Sequence, residues 1–239
     1  NIYLEEPADV LYLKYYNRNF PIASPPFSTI TPSAFDFTPD NLSSTVKVNE
    51  NHFRIIIDKP GFYQLTNNQK GNNGATYFFF DSYYPEPKSV LHLAEPLRYI
   101  STNEEYNVLF ESDELKKAVD AHWIKVGGTA QRARELIKAY YSRVQLANRY
   151  FTSYLEGWKS DRGMCYIVFG PPDEVYRTTS SETWIYGESG KYKSLSLTFT
   201  KVANPFSFND FRLNRSNSLK NPWYRAVEFW RQGRVLTYK

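Results

Sequence analysis

Asp161, Asp173 and Glu174 come nearest, by type and spacing, to a general acid and base pair. That chemistry needs two carboxyls at a fixed separation, one of them kept protonated by its surroundings. Here they stand in Ser160-Asp-Arg-Gly163 and Gly170-Pro-Pro-Asp-Glu174, where a carboxylate ordinarily caps a turn. No motif with a mechanism accompanies them. The histidines, His52, His92 and His122, are far apart and lack ligand spacing, so no metal site is expected. His122 falls beside Trp123 on an apolar helical face and reads as a hydrogen-bonded core histidine. Cys165 is the only cysteine, which leaves no internal disulfide and no cysteine zinc site. Set between Met164 and Tyr166, it reads as a small buried hydrophobe. No serine stands in a Gly-x-Ser-x-Gly context, and Gly127-Gly128 and Gly170 make no phosphate loop. No cofactor is expected.

The elements that would position these residues change character along the chain. Its 239 residues suffice for one large or two modest domains with a true hydrophobic core. Aromatic residues reach 18%, with 20 Tyr and 17 Phe, which leans towards β structure. Residues 1–100 read as a β-rich domain, incomplete at its N-terminus. Strands are expected at Val10–Tyr16, Val46–Val48, Phe53–Ile57, Gly61–Leu65 and Thr76–Phe80. The last two flank Asn67–Gly74, a polar turn, and form a hairpin. Pro21, Pro25-Pro26 and Pro32 mark an extended stretch. From 101 to 203 the period lengthens. Ser112 is a plausible N-cap for a helix carrying Leu115, Val119 and Trp123 on one face. Thr129 caps a longer helix whose stripe runs from Ala133 through Leu136, Tyr140, Val144 and Phe151 to Leu155, with Gly157 ending it. Met164–Phe169 then reads as a buried strand, followed after a stiff Gly-Pro-Pro-Asp corner by strands at Glu174–Thr178, Thr183–Tyr186 and Leu195–Phe199. Residues 204–239 form a basic, aromatic segment with a short helix at Trp223–Trp230. The expected class is α+β: a β-rich N-terminal region, a helical pair, and a small antiparallel sheet packed on the long helix.

Net charge is +4, from 29 Lys and Arg against 25 Asp and Glu, too mild to imply nucleic acid. The long helix carries Arg132, Arg134, Lys138, Arg143 and Arg149 on its other face, which reads as a solvated face, and no nucleic-acid-binding signature accompanies it. The segment after Arg212 is more biased: Arg215, Lys220, Arg225, Arg231, Arg234 and Lys239 face Glu228 alone. No stretch approaches the roughly 18 apolar residues of a membrane span. The opening Asn-Ile-Tyr-Leu-Glu-Glu lacks the basic and apolar regions of a signal peptide and reads as a fragment or a mature form. Cysteine poverty suits either cytoplasm or periplasm.

The string Gly157-Trp158-Lys159-Ser160-Asp161, continued by Arg162-Gly163 and by Gly170-Pro171-Pro172-Asp173, resembles the signature of the GWxTD domain. Ser160 stands where that family usually has Thr, which keeps the hydroxyl. The resemblance extends upstream to the Trp123 helix, Tyr141-Ser-Arg-Val144, Ala147-Asn148 and Phe151, and downstream to Trp184-Ile-Tyr186. It implies a bacterial cell-envelope protein of the kind found mainly in Bacteroidetes, usually exported or lipid-anchored, with no catalytic activity established for the class. A weaker likeness of helix, Gly-Pro turn and strands to small lipoproteins of the outer-membrane assembly machinery is a fold-level analogy. From the residues themselves, the motif reads as architecture: a helix stop, a Trp158 anchor, and a turn carboxylate at Asp161 that accepts backbone N–H groups or pairs with Arg162 or Arg143. Gly163, Gly170 and Trp184 belong to the same frame. The alternative is that Asp161, Arg162, Asp173 and Glu174 converge on a ligand.

Two functions remain in competition. One is a non-catalytic structural or adaptor component of the envelope, in periplasm or outer membrane. It would bind proteins of an assembly or secretion complex through Trp223, Tyr224, Arg225, Trp230, Arg231 and Arg234, and associate with membrane through a lipid anchor outside this chain. The other is a glycan-binding module or polysaccharide-processing enzyme that stacks sugars on Tyr83-Tyr84, Trp223-Tyr224 and Trp230. Burial of Trp123, Trp158 and Trp184, with no cleft carrying two carboxylates, would remove the basis of the second.

Overall fold

The computed structural model describes residues 10–30, 36, 38–48, 53–187 and 194–235. Its class is α+β, with two antiparallel four-stranded sheets separated in sequence by helices. The first sheet joins β1 (Val10–Tyr16), β2 (Asn41–Lys47), β3 (Gly61–Thr66) and β4 (Ala75–Phe79) in the order β2-β1-β3-β4. β3 and β4 form the expected hairpin, Leu65 opposite Ala75 and Gly61 opposite Phe79. Its polar loop folds back so that Lys14 donates to the Gly71 carbonyl, and Gln64 donates to that of Asn72.

Phe53–Ile57 is not a strand: it pairs with neither β2 nor β4, the edges of the sheet, and Ile56 is 72% exposed. An apolar run whose alternate residues find no core to pack on lacks the burial that would hold it in a ladder. His52 and Pro32 lie outside the described residues.

Helices follow: α1 (Val90–Ala94), a 3-10 turn at Glu95–Tyr99, α2 (Asn103–Glu111), α3 (Leu115–Gly127) and α4 (Ala130–Phe151). α2 starts on a reciprocal cap, in which Thr102 accepts from the Glu105 amide and Glu105 from that of Thr102. Ser112 ends α2, and Glu114 stands at the N-cap of α3. Gly128 closes α3 with φ of 70°, a left-handed conformation that glycine adopts freely. Thr129 then caps α4 by accepting from the Arg132 amide. α3 and α4 pack through Trp123, whose ring meets those of Tyr140 and Tyr141 at 5.3 and 5.9 Å.

The run Met164–Phe169 is not a strand but part of α5 (Asp161–Phe169). Seven of its nine residues are buried, so the helix shows no amphipathic period. A short, fully buried helix and a central strand look alike in sequence. The deciding signal is Ser160, whose Oγ accepts from the Gly163 amide at 3.0 Å.

The second sheet therefore consists of β5 (Glu174–Arg177), β6 (Ser181–Tyr186), β7 (Leu195–Lys201) and β8 (Phe211–Leu213), in sequence order, with β8 at the edge. Its inner face, Trp184, Tyr186, Leu197 and Phe199, packs on α5 and the end of α4, with Trp184 against Phe151 at 5.4 Å. α6 (Lys220–Arg231) completes this core from below α5: Trp230 donates to the Val168 carbonyl and Trp223 packs on Phe169. The first sheet joins it through an aromatic cluster of Tyr16, Phe62, Phe206, Phe20 and Tyr154, with ring centroids about 5 Å apart.

Candidate functional site

The Gly157–Asp161 segment lies between α4 and α5. α4 stops at Phe151, not at Gly157; Gly157 instead opens a 3-10 turn laid against α4. A Cβ at Gly157 would stand 2.0 Å from the Ala147 carbonyl oxygen, and one at Gly163 would stand 1.9 Å from that of Gly157. Both positions require glycine because backbone meets backbone there. Trp158 is 3% exposed. Its amide donates to Asn148 Oδ1 at 3.0 Å and its carbonyl accepts from the Tyr99 hydroxyl at 2.8 Å. Tyr84 reaches the same corner, accepting from the Gly157 amide and donating to the Asn148 carbonyl; burial pushes its hydroxyl pKa far up. Lys159 pairs with Glu156 at 2.7 Å over the Trp158 ring.

Asp161 does not pair with Arg162 or Arg143. Its carboxylate accepts from Arg215 Nη1 and Nη2 at 2.9 and 2.5 Å and from the Leu213 amide at 2.8 Å. It thereby fastens the start of α5 to β8 and to the turn leading into α6. Arg162 points the other way, donating to Glu182 at 3.1 Å and to Asn209, with its guanidinium 4.2 Å from the Phe211 ring centre. Burial works against its charge and Glu182 supports it. Glu182 in turn accepts from Trp184 Nε1 at 2.6 Å. Arg143 caps the other end of α5, donating to the Ile167 and Val168 carbonyls and stacking over Trp230.

Asp173 and Glu174 lie beyond that far end. Asp173 accepts from the Gly187 amide at 2.6 Å and Glu174 from the Tyr176 hydroxyl at 2.6 Å. The length of α5, about 13 Å at 1.5 Å per residue, separates them from Asp161. The convergence of Asp161, Arg162, Asp173 and Glu174 on one ligand is therefore overturned. Gly170, with φ of 90°, makes the corner before Pro171-Pro172, and its carbonyl accepts from Tyr186.

Asp161 instead borders a cleft of about 470 Å³ between α5, β8 and the extended segment 18–24. Phe20, Tyr154 and Phe211 supply its apolar wall, and Asp210, Arg212 and Arg215 its polar one. Asp210 is 8% exposed, and burial pushes its carboxyl above the usual range, with Arg212 and Asn204 opposing the rise. Burial raises the pKa of the Tyr154 hydroxyl, with Asp210 adding to the rise and Arg212 opposing it. Nothing in the sequence pointed to the roles of Asp210 or Arg215, because each meets the signature only across a large sequence separation.

Several other expectations change. Trp223 and Trp230 are 4% and 0% exposed, so neither is a surface platform; Tyr224, Arg225 and Arg234 do face solvent. An amphipathic helix capping a core turns its large rings inward regardless of the basic residues around them. Arg231 is engaged by Glu105 at 2.5 and 3.2 Å. Tyr84 is not a free platform, whereas Tyr83 is 55% exposed. Trp123, Trp158 and Trp184 are buried, but Asp36, Asp161 and Asp210 do line one cleft. His122 leaves Nε2 buried without a hydrogen-bond partner, contrary to the bonded core histidine expected. Cys165 is fully buried. Among the described residues, no cluster of His, Cys, Asp or Glu could hold a metal ion, and no helix is long and apolar enough to cross a membrane.

A glycine-packed corner, a hydroxyl-capped buried helix and a carboxylate clamp to the edge of an antiparallel sheet define an α+β domain built around its signature segment. The GWxTD domain model matches residues 61–232, most of the chain, and the chain belongs to that family. No curated protein and no solved structure matches it.

Proposed function

We propose that this protein is a non-catalytic adaptor of the bacterial cell envelope, in periplasm or outer membrane, that binds other proteins of an assembly or secretion complex, with any membrane attachment supplied by a lipid anchor outside this chain. The observation that supports this most is how the charges around the cleft are engaged. Asp161 is committed to Arg215 and Leu213, Lys159 to Glu156, and Arg18 to Asp40. What a partner meets is apolar and hydrogen-bonding surface, chiefly Phe20, Tyr154, Leu155 and Phe211. Such a lining suits a protein segment. Tyr224 and Arg225 on α6, and Arg234 beyond its end, are exposed as further contacts for a partner. Affinity capture from membranes under mild detergent is expected to recover a defined partner stoichiometrically. Recovery of the chain alone sinks the adaptor reading.

A second reading draws on Asp210. A carboxyl raised by burial, beside Asp161 and aromatic walls, is also what a polysaccharide-processing site contains. Turnover or binding on a panel of envelope glycans that is lost in Asp210→Asn would favour it. An inert wild-type protein on the same panel would remove it.

A further inference from the structure

The segment from Phe20 to Phe27, Phe-Pro-Ile-Ala-Ser-Pro-Pro-Phe, precedes the part of the chain that the family model covers. It has no helix or strand, yet it is fixed on the domain as a bound peptide would be. The Ala23 amide donates to the Lys159 carbonyl at 3.0 Å, inside the signature itself. The Ser24 carbonyl accepts from Arg215 Nη2 at 3.1 Å, on the same guanidinium that clamps Asp161. The Pro26 carbonyl accepts from the Ser216 amide at 3.1 Å. Ile22, Ala23 and Phe27 pack against the main core, and Pro26 is buried. The Phe27 ring lies 5.3 Å from that of Tyr224, with Lys220 6.0 Å above it.

The segment is held in the two ways by which a domain reads a peptide ligand: main-chain hydrogen bonds at Ala23, Ser24 and Pro26 set register, and the seating of Ile22, Pro26 and Phe27 sets identity. Pro25 and Pro26 lead into a turn closed by the Ser28 amide donating to the Pro25 carbonyl at 2.9 Å, and their fixed φ restricts the free segment in advance, which lowers the ordering cost of binding. Besides these contacts, residues 18–24 border the cleft, which leaves about 470 Å³ beside them. The seat thus extends beyond what its present occupant fills.

We propose that this seat, made by Lys159, Arg215, Ser216 and Tyr224, is a receptor groove for a proline-containing segment of a partner protein, of the pattern apolar–small–polar–Pro–Pro–aromatic, that turns at its prolines as residues 25–28 do. The chain's own residues 20–27 occupy it in cis and compete with that partner. This rests on the adaptor reading and specifies its docking site.

The test uses the full chain and a fluorescein-labelled peptide of residues 18–28. Anisotropy titrations compare wild type with Phe27→Ala, which empties the aromatic seat, and with Ala23→Pro, which removes the donor to Lys159. Saturable binding at least tenfold tighter to the strap variants than to wild type is expected, and adding Tyr224→Ala to Phe27→Ala should weaken it tenfold. No binding to any variant, or equal binding to all, overturns the groove; partner capture that persists alongside such a result leaves the adaptor reading standing. If both strap variants lose their cooperative thermal transition, the segment is part of the core and not a ligand, which also overturns the proposal. Peptide-independent dimers of the strap variants, seen by light scattering, would assign the groove to a second copy and refute the partner segment.

Discussion

Replacing Asp161 by Ala removes the acceptor of three hydrogen bonds, two from Arg215 and one from the Leu213 amide. The side chains of Arg215 and Asp161 are 14% and 9% exposed, so water does not readily replace what is lost. Breaking a buried ion pair from one side costs about 3–5 kcal/mol, mostly because the surviving charge is stranded. Partial access at Arg215 places the expected loss near the lower end, about 3 kcal/mol. For a chain of this size each kcal/mol moves Tm by about 2–4 °C, so a drop of about 6–12 °C is expected. Asp161→Asn keeps an acceptor for Leu213 and should lose about half as much. Asp161→Ala combined with Arg215→Met removes the stranded charge and should recover part of the loss. Urea unfolding followed by far-ultraviolet circular dichroism measures all three, with an unchanged m-value required for the comparison. If Asp161→Ala lies within about 1 kcal/mol of wild type, the signature carboxylate is not the fastening described, and a role at the cleft must be sought for it instead.

Gly163→Ala forces a Cβ to 1.9 Å from a carbonyl oxygen and should abolish a cooperative melt, whereas Gly128→Ala, with φ of 70° and open space, should cost only about 1 kcal/mol; similar melts for the two would contradict the packing. Arg231 holds the Glu105 carboxyl down at about 2, so the pair's contribution is complete above the ordinary carboxylate range and fades as pH falls towards about 2. Arg231→Ala should raise the Glu105 titration towards the ordinary carboxylate range by carboxyl-carbon NMR, and an unmoved titration would count against the pair. Burial pushes the Cys165 thiol well up, so a disulfide reagent should label it only after denaturation; rapid labelling of the native protein would show the core to be open there.

What sequence reveals here follows from how local each signal is. α4 was legible because Thr129 and a stripe from Ala133 to Phe151 lie within one continuous run, and the β3–β4 hairpin because its polar loop separates two apolar strands. The cap at Thr102 with Glu105 three residues on was equally local, and it announces α2 to any reading that looks for it. α5 reads as a strand because burial on nearly every side erases periodicity, and β8 gives no signal because three residues between Asp210 and Asn214 carry no period at all. The candidate site was half legible. Gly157, Trp158, Ser160 and Asp161 could be placed at a fixed corner from their types, but the partners that give the corner its meaning come from Tyr84, Tyr99, Asn148, Leu213 and Arg215. Pairing of that kind is decided by the tertiary fold. The burial of Trp223 and Trp230 was hidden for a similar reason: a basic surrounding suggested surface, while α6 is amphipathic with both rings on its inner side.

The bond from Arg215 to Ser24 spans 191 residues, and that separation sets an order of events. At about 5–20 residues per second, roughly 10–40 s of synthesis separate the appearance of the strap from that of its clamp. Throughout that interval Phe20 to Phe27 is an apolar, proline-containing segment with no seat to occupy. The bonds from Arg215 to Ser24 and from Ser216 to Pro26 can form only after that interval. A groove that is completed before its internal occupant docks is, for that period, open to whatever segment reaches it first.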